Sequence, residues 1–121
     1  MYKPDIEHWH ERDDIEMHQA IDVPEEGWKF HVGFVPAVTK QVAPDPKNTI
    51  AVLCGPPVMI KYTLPILTEL GFPPERIFTS VEKRMKCGIG KCGRCNIGPK
   101  YICQDGPVFT LQELQALPNE L

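Results

Sequence analysis

The chain lacks any apolar run approaching the roughly 18 residues of a transmembrane helix, so no membrane span is expected from it. The segment Met1–Trp9 lacks a basic stretch followed by an apolar one, which argues against a secretory leader and for a cytoplasmic protein. Aromatic residues make up only 8% of the chain. None interleaves with its basic stretch, which removes the stacking platform that single-stranded nucleic acid uses. No nucleophile stands in a pattern with a base, so covalent hydrolysis is not expected. Neither sign of charge dominates: 13 Lys and Arg face 16 Asp and Glu, for a formal net charge of −3.

What is present fits one small folded unit. A chain of 121 residues builds a modest core, which a metal, disulfides or a partner subunit commonly supplements. A large self-sufficient enzyme is excluded. Apolar residues at 42% and charged residues at 24% are globular values. The 13 prolines are about twice the usual share and predict short elements joined by ordered turns.

Charge is unevenly distributed. Residues 1–31 carry nine acids and three bases, a net −6, whereas residues 82–100 carry six bases and one acid, a net +5. The basic stretch coincides with four of the five cysteines, spaced Cys87-x4-Cys92-x2-Cys95-x7-Cys103. Disulfides are one use for such a group, but a fifth cysteine and the absence of a leader favour an intracellular metal site. Structural zinc sites present paired knuckles of two-to-four-residue spacing, and the final seven-residue gap fits them poorly. The four-two spacing with a more distant fourth cysteine is the plant-type arrangement for a [2Fe-2S] cluster. Gly88, Gly90 and Gly93 let the backbone wrap closely and turn N–H groups toward sulfur. Lys83, Arg84, Lys86, Lys91 and Arg94 either raise the potential of such a centre, dock an acidic partner, or only keep the loop soluble.

Elsewhere the pattern alternates strand and helix. Thr49–Cys54 (TIAVLC) reads as a fully buried parallel strand and ends at Gly55-Pro56-Pro57. Met59, Ile60, Ile66, Leu67 and Leu70 follow at helical spacing up to Gly71, with Pro65 expected to kink or divide the helix. Ile77–Val81 reads as the second strand, so residues 49–81 form a βαβ unit. Upstream, Pro4–Arg12 reads as a helix, Ile15–Ile21 as a half-exposed strand, Pro24–Gly33 as a loop and Val42–Asn48 as a turn-rich link. Thr110 and Glu113 form a capping box that opens a short helix through Leu117, closed by Pro118. Ligands of open α/β sheets bind outside the carboxyl ends of strands, which places a candidate nucleotide across Cys54–Pro57 and Ser80–Glu82.

The segments Asp22-Val23-Pro24 with Glu26-Gly27-Trp28, His31-Val32-Gly33-Phe34-Val35, Cys54-Gly55-Pro56-Pro57-Val58-Met59 and Glu82-Lys83-Arg84-Met85-Lys86-Cys87-Gly88 together resemble a known family. It is the carboxyl-terminal half of ferredoxin–NADP reductase-like electron-transfer subunits. Among these are hydrogenase and sulfhydrogenase gamma subunits, the anaerobic sulfite reductase B subunit and the dihydroorotate dehydrogenase electron-transfer subunit. The resemblance implies an α/β fold: a partial nucleotide-binding parallel sheet of about three strands with helices over residues 1–81, and a small [2Fe-2S] subdomain over 82–121. It implies that Cys54, Gly55, Pro56 and Met59 border the nicotinamide or pyrophosphate, that Gly33 and Phe34 lie in a nearby loop, and that Cys87, Cys92, Cys95 and Cys103 bind iron.

The chain has no flavin barrel, no flavin-binding motif and no glycine-rich first βα turn. It therefore reads as a split subunit or a truncated form that is not active alone. NAD(P) and FAD are expected only with a partner that supplies the flavin domain and the first strands, and a further redox subunit completes the complex. The implied work is single-electron relay. The alternative is a zinc-stapled adaptor without redox function. Among the remaining residues, Cys54 is either a thiol near nicotinamide or a buried inert cysteine. The four histidines read as surface residues. Trp9 and Trp28 either pack or stack on a cofactor, and Asp22 and Glu82 either touch a ribose or cap strand ends.

Overall fold

The computed structural model describes residues 2–118. Helix α1, Lys3–His10, has Pro4 in its first turn, where a missing N–H costs nothing, and buries none of its residues. Two-residue strands β1 (Ala20–Ile21) and β2 (His31–Val32) pair in parallel, Ala20 with His31 and Ile21 with Val32. The strand expected over Ile15–Ile21 is thus confined to its last two residues. The alternation itself is present, with Ile15, Met17 and Ile21 half-buried and Glu16, His18 and Ala20 exposed. Alternation reports which face is covered, whereas a ladder also needs a neighbouring backbone, and β2 offers one only at the end of the expected Pro24–Gly33 loop.

Helix α2, Val35–Val42, was not anticipated from periodicity. Its signals are Pro36 in the first turn and Val35, Val38 and Val42 at helical spacing. They are masked by valines that favour strands. Val38 is buried, and packing against the next helix holds α2 in place.

The βαβ unit is present. Strand β3 (Ala51–Leu53), helix α3 (Pro57–Glu69), a 3-10 turn at Pro74–Arg76 and strand β4 (Ile77–Ser80) follow in order. The strands are parallel, with Ala51 beside Ile77 and Leu53 beside Thr79. Helix α3 buries Ile60, Thr63 and Leu67, and the first core gathers Leu53, Ile60, Leu67, Phe72, Ile77 and Leu111. Pro65 does not divide the helix. Pro65 and Lys61 both lie on the exposed side, where water can satisfy the Lys61 carbonyl that proline leaves without its usual donor.

Two expectations about the sheet are corrected. First, it is mixed, not parallel: β7 (Val108–Thr110) adds to the far side of β4 in antiparallel sense, Phe78 facing Thr110 and Ser80 facing Val108. After β4 the chain leaves through the cysteine segment and comes straight back, so no crossover is available to make the pair parallel. The return is tied by the Val81 N–H donating to the Pro107 carbonyl at 2.9 Å. Second, β3 is not buried on both sides, since Val52 is 74% exposed. Helix α3 covers the face of Ala51 and Leu53 alone.

Between β4 and β7 lie the hairpin of β5 (Asn96–Ile97) and β6 (Lys100–Tyr101) and the short helix α4 (Ile102–Asp105). Their apolar residues join a second core of Val81, Cys95, Ile97, Ile102, Phe109 and Leu114. No helix among the described residues is long and apolar enough to cross a membrane.

Helix α5, Leu111–Gln115, opens on the expected capping box. The Glu113 N–H donates to Thr110 Oγ1 at 3.1 Å, while Glu113 Oε2 accepts from the Thr110 N–H at 2.8 Å. These bonds, the backbone one foremost, hold the Glu113 carboxyl below its ordinary 4.5. A carboxylate with a lowered folded pKa contributes stability above 4.5, and that contribution is lost as the pH falls through the folded value. Glu113→Gln, which removes the titrating carboxylate, is expected to lower stability at neutral pH, and urea melts should show the gap to the wild-type protein closing below pH 4.5. A gap that stays constant with pH would argue against the coupling.

Candidate metal centre

The four cysteines of the basic stretch come together in space. Between Cys87 and Cys95 the backbone turns through left-handed glycines, Gly88, Gly90 and Gly93 having φ of 69°, 71° and 67°. The turns at Gly88 and Gly90 aim amides inward. The N–H groups of Lys91 and Cys92 each donate to Cys87 Sγ at 3.3 Å, and the Gly90 N–H donates to Cys103 Sγ at 3.2 Å. Hydrogen bonds from backbone N–H groups stabilise thiolate over thiol. The Ile89 amide foremost, then those of Cys92 and Lys91, hold the Cys87 thiol at about 6. Cys103 moves the other way: burial raises it, and the neighbouring Cys95 thiol adds to the effect.

The thiols are arranged as two pairs. Cys95 Sγ and Cys103 Sγ lie 3.4 Å apart, and Cys92 interacts with Cys87. Among the described residues no three Cys, His, Asp or Glu side chains converge on one ion position. The pairs also differ in setting. Cys95 is buried in the second core with Cys103 packed against it, whereas Cys92 is exposed. One side of the centre is therefore dry and the other faces solvent.

Gln104 is a contributor that sequence reasoning missed. Its Nε2 donates to the Ile89 carbonyl at 3.3 Å, and its side chain fills the space that a Cβ on Gly90 would need. Gly90→Ala must therefore both strain a left-handed residue, at about 1 kcal/mol or more, and displace Gln104. Gly93→Ala meets no atom within 4 Å and bears only the backbone strain. Metal retention during anaerobic dialysis is expected to fall further in Gly90→Ala than in Gly93→Ala, and equal losses would remove Gln104 from the account.

The residues expected at a nucleotide are divided between two sheets. Gly33 ends β2, its N–H donating to the Ile21 carbonyl at 2.8 Å, and Phe34 stands exposed at the start of α2. Cys54, Gly55, Pro56 and Met59 gather where β3 meets α3, with the Met59 thioether lying over Gly55. Cys54 is exposed, which corrects the reading of it as a buried cysteine. A cavity does lie across the carboxyl ends of β3 and β4, lined by Gly55, Pro57, Lys61, Ser80 and Glu82 among others, but it holds only about 50 Å³. Nucleotide-sized ligands occupy several hundred Å³, so these residues form at most one wall of such a site.

The histidines lie outside the centre. His18 and His31 meet through Nδ1 and Nε2 at 3.2 Å, and His10 stacks on Phe30. Trp28 packs edge-on to Phe30 and donates Nε1–H to the His31 carbonyl at 2.9 Å.

Residues 82–115 match the family described as the iron–sulfur cluster binding domain of dihydroorotate dehydrogenase B. The matched segment contains all four paired cysteines, so what this part of the chain is similar to is an iron–sulfur cluster binding segment. Among curated relatives, the gamma subunit of sulfhydrogenase 1 from Pyrococcus furiosus is 55% identical over 49 residues, covering 40% of this chain and 17% of that protein. NADH-cytochrome b5 reductase 2 of Danio rerio is 40% identical over 67 residues, covering 53% of this chain and 22% of that protein. A probable electron transfer subunit of dihydroorotate dehydrogenase B (NAD(+)) from Methanocaldococcus jannaschii is 38% identical over 61 residues, or 50% and 23%. The matches thus span less than a quarter of these relatives. The chain is similar to the carboxyl-terminal, ferredoxin–NADP reductase-like region of electron-transfer proteins. An alignment of 67 residues cannot fit within 82–115, so the likeness reaches into the α/β part.

Proposed function

We propose that this chain is the electron-transfer component of a flavin- and NAD(P)-linked oxidoreductase complex, with one [2Fe-2S] cluster held by Cys87, Cys92, Cys95 and Cys103. The observation that carries the reading is the arrangement of four thiols as two pairs, within a loop whose left-handed glycines turn amides onto sulfur. A single zinc ion needs its four ligands on one point, whereas a two-iron centre takes two thiolates per iron, and the donor set is soft. When bound, such a cluster accepts and returns one electron at a time.

The rest of the work belongs to the chain's own residues. The amides of Gly90, Lys91 and Cys92 offset negative charge on Cys103 and Cys87, and hydrogen bonds to cluster sulfurs raise the potential. Cys95, Ile97, Ile102 and Phe109 exclude water from one side. Residues 82–121 serve as the cluster subdomain and residues 1–81 as a partial nicotinamide-nucleotide unit.

In this reading Gly33, Phe34, Cys54, Gly55, Pro56 and Met59 form one wall of a nucleotide site that a second protein completes, together with the flavin domain. The names of the NADH- and NAD(+)-linked relatives support the nicotinamide assignment, and the sulfhydrogenase subunit supports a further redox partner. The chain is not active alone and works in the cytoplasm, where its thiols stay reduced.

Anaerobic purification, iron and sulfide analysis, and visible and electron-paramagnetic spectra before and after dithionite test the proposal. About two irons and two sulfides per chain, with a one-electron signal on reduction, are expected for a cluster of this type. Stoichiometric zinc without iron would establish the adaptor instead.

A further inference from the structure

The cysteine loop carries more positive charge than holding a cluster explains. Arg84, Lys86, Lys91 and Arg94 are exposed, and none of them forms an ion pair among the described residues. Three of them are covalent neighbours of ligand cysteines: Lys86 of Cys87, Lys91 of Cys92 and Arg94 of Cys95. No carboxylate interrupts the chain from Lys83 to Gln104, and Asp105 is already engaged by the Tyr101 N–H at 2.6 Å and Lys100 Nζ at 3.5 Å.

Between these cations along the chain stand two large apolar side chains, Met85 at 56% and Ile89 at 57% exposed. An apolar centre with a charged rim is the composition of a transient protein–protein face, and a methionine adapts its shape to what it meets. The +5 of residues 82–100 outweighs the two negative charges of an oxidised four-thiolate [2Fe-2S] centre, so the face stays positive when loaded.

From this we infer that the Arg84–Arg94 loop is a docking face for a redox protein that presents an acidic patch around an apolar contact. The inference rests on the electron-transfer reading for its purpose, but the cations belong to the chain whatever metal it holds. The face is opposite in sign to the whole chain, whose net charge is −3, so local and global charge predict opposite partner preferences. Nucleic acid is the other polyanion such a loop could meet. The absence of aromatic residues from 82–100 leaves bases nothing to stack on, and the exposed Met85 and Ile89 suit a protein surface.

The test uses the full chain purified anaerobically, with a fluorescein-labelled oligo-glutamate peptide as the probe and an oligothymidylate of equal charge beside it. Fluorescence anisotropy should show the peptide bound at low salt. Affinity should drop at least tenfold on raising ionic strength to about 150 mM, where the Debye length is about 8 Å. The double variants Lys91→Glu/Arg94→Glu and Arg84→Glu/Lys86→Glu should each abolish binding. Visible spectra of the same samples report separately on the cluster. A colourless chain that still binds with the same salt dependence supports the face and counts only against the relay. Equal binding by the wild-type protein and both variants, or tighter binding of the oligothymidylate than of the peptide, overturns the inference.

Discussion

Cys92→Ser is expected to leave the chain nearly colourless, with iron falling from about two per molecule to well below one. Serine keeps the shape of cysteine but replaces a soft thiolate by a hard, weakly acidic hydroxyl, which iron–sulfur centres hold poorly. Cys92 is exposed, so the change removes a ligand without opening the core, and far-ultraviolet circular dichroism should barely move. Cys95→Ser removes the same kind of ligand but also places a hydroxyl in the buried second core, so it should lose both colour and stability. Cys54→Ser is the internal control: Cys54 follows β3, outside the Cys87–Cys103 segment, and its loss should leave the spectrum intact. Full colour and full iron in Cys92→Ser would overturn the ligand assignment.

The second large effect is structural. Phe109→Ala is expected to cost about 3–5 kcal/mol, a large share of the 5–15 kcal/mol that domains of this size possess. Phe109 is 3% exposed, stands opposite Thr79 on β7, and packs with Val81, Cys95, Ile97, Ile102 and Leu114. Its ring also occupies the space beside Gly106 where a Cβ would lie. One side chain thus joins the sheet to the dry wall of the metal centre. The urea midpoint should fall with the slope unchanged, and iron should dissociate faster. Val108→Ala, on the neighbouring residue at 53% exposure, should change stability by no more than about 0.5 kcal/mol. Similar losses for the two variants would show that Phe109 does not join the sheet to the second core.

How much of this could be read in advance follows from how local each signal is. The gathering of the four cysteines was readable because residue type and short separations in the chain bring them together. The inward amides were readable because Gly88 and Gly90 fall between Cys87 and Cys92. The capping box is equally local, needing only Thr110 and Glu113. The βαβ unit announced itself through two β-branched runs around a long amphipathic segment.

Other features were hidden. Strand β7 is three residues long, too short for any period, and its place is decided by the route of the cysteine segment. The bare side of β3 was hidden because an apolar run does not say which neighbour covers which face. Helix α2 is written in valines that point to strands and owes its form to α3. Gln104 carries no signal at all, since it meets Ile89 only once the hairpin and α4 have folded between them.

The hydrogen bond from Val81 to Pro107 pins both ends of residues 82–106 to a single point at the margin of the sheet. The metal-binding portion is therefore suspended like a locket from one clasp, and nothing in the β3–α3–β4 framework has to thread through it. Such an attachment makes the portion portable: joined to any antiparallel strand pair, with Phe109 and Leu114 carried along, it should transfer its thiols to a new host. Over evolutionary time the same geometry allows an α/β scaffold to gain or shed the appendage in one genetic event.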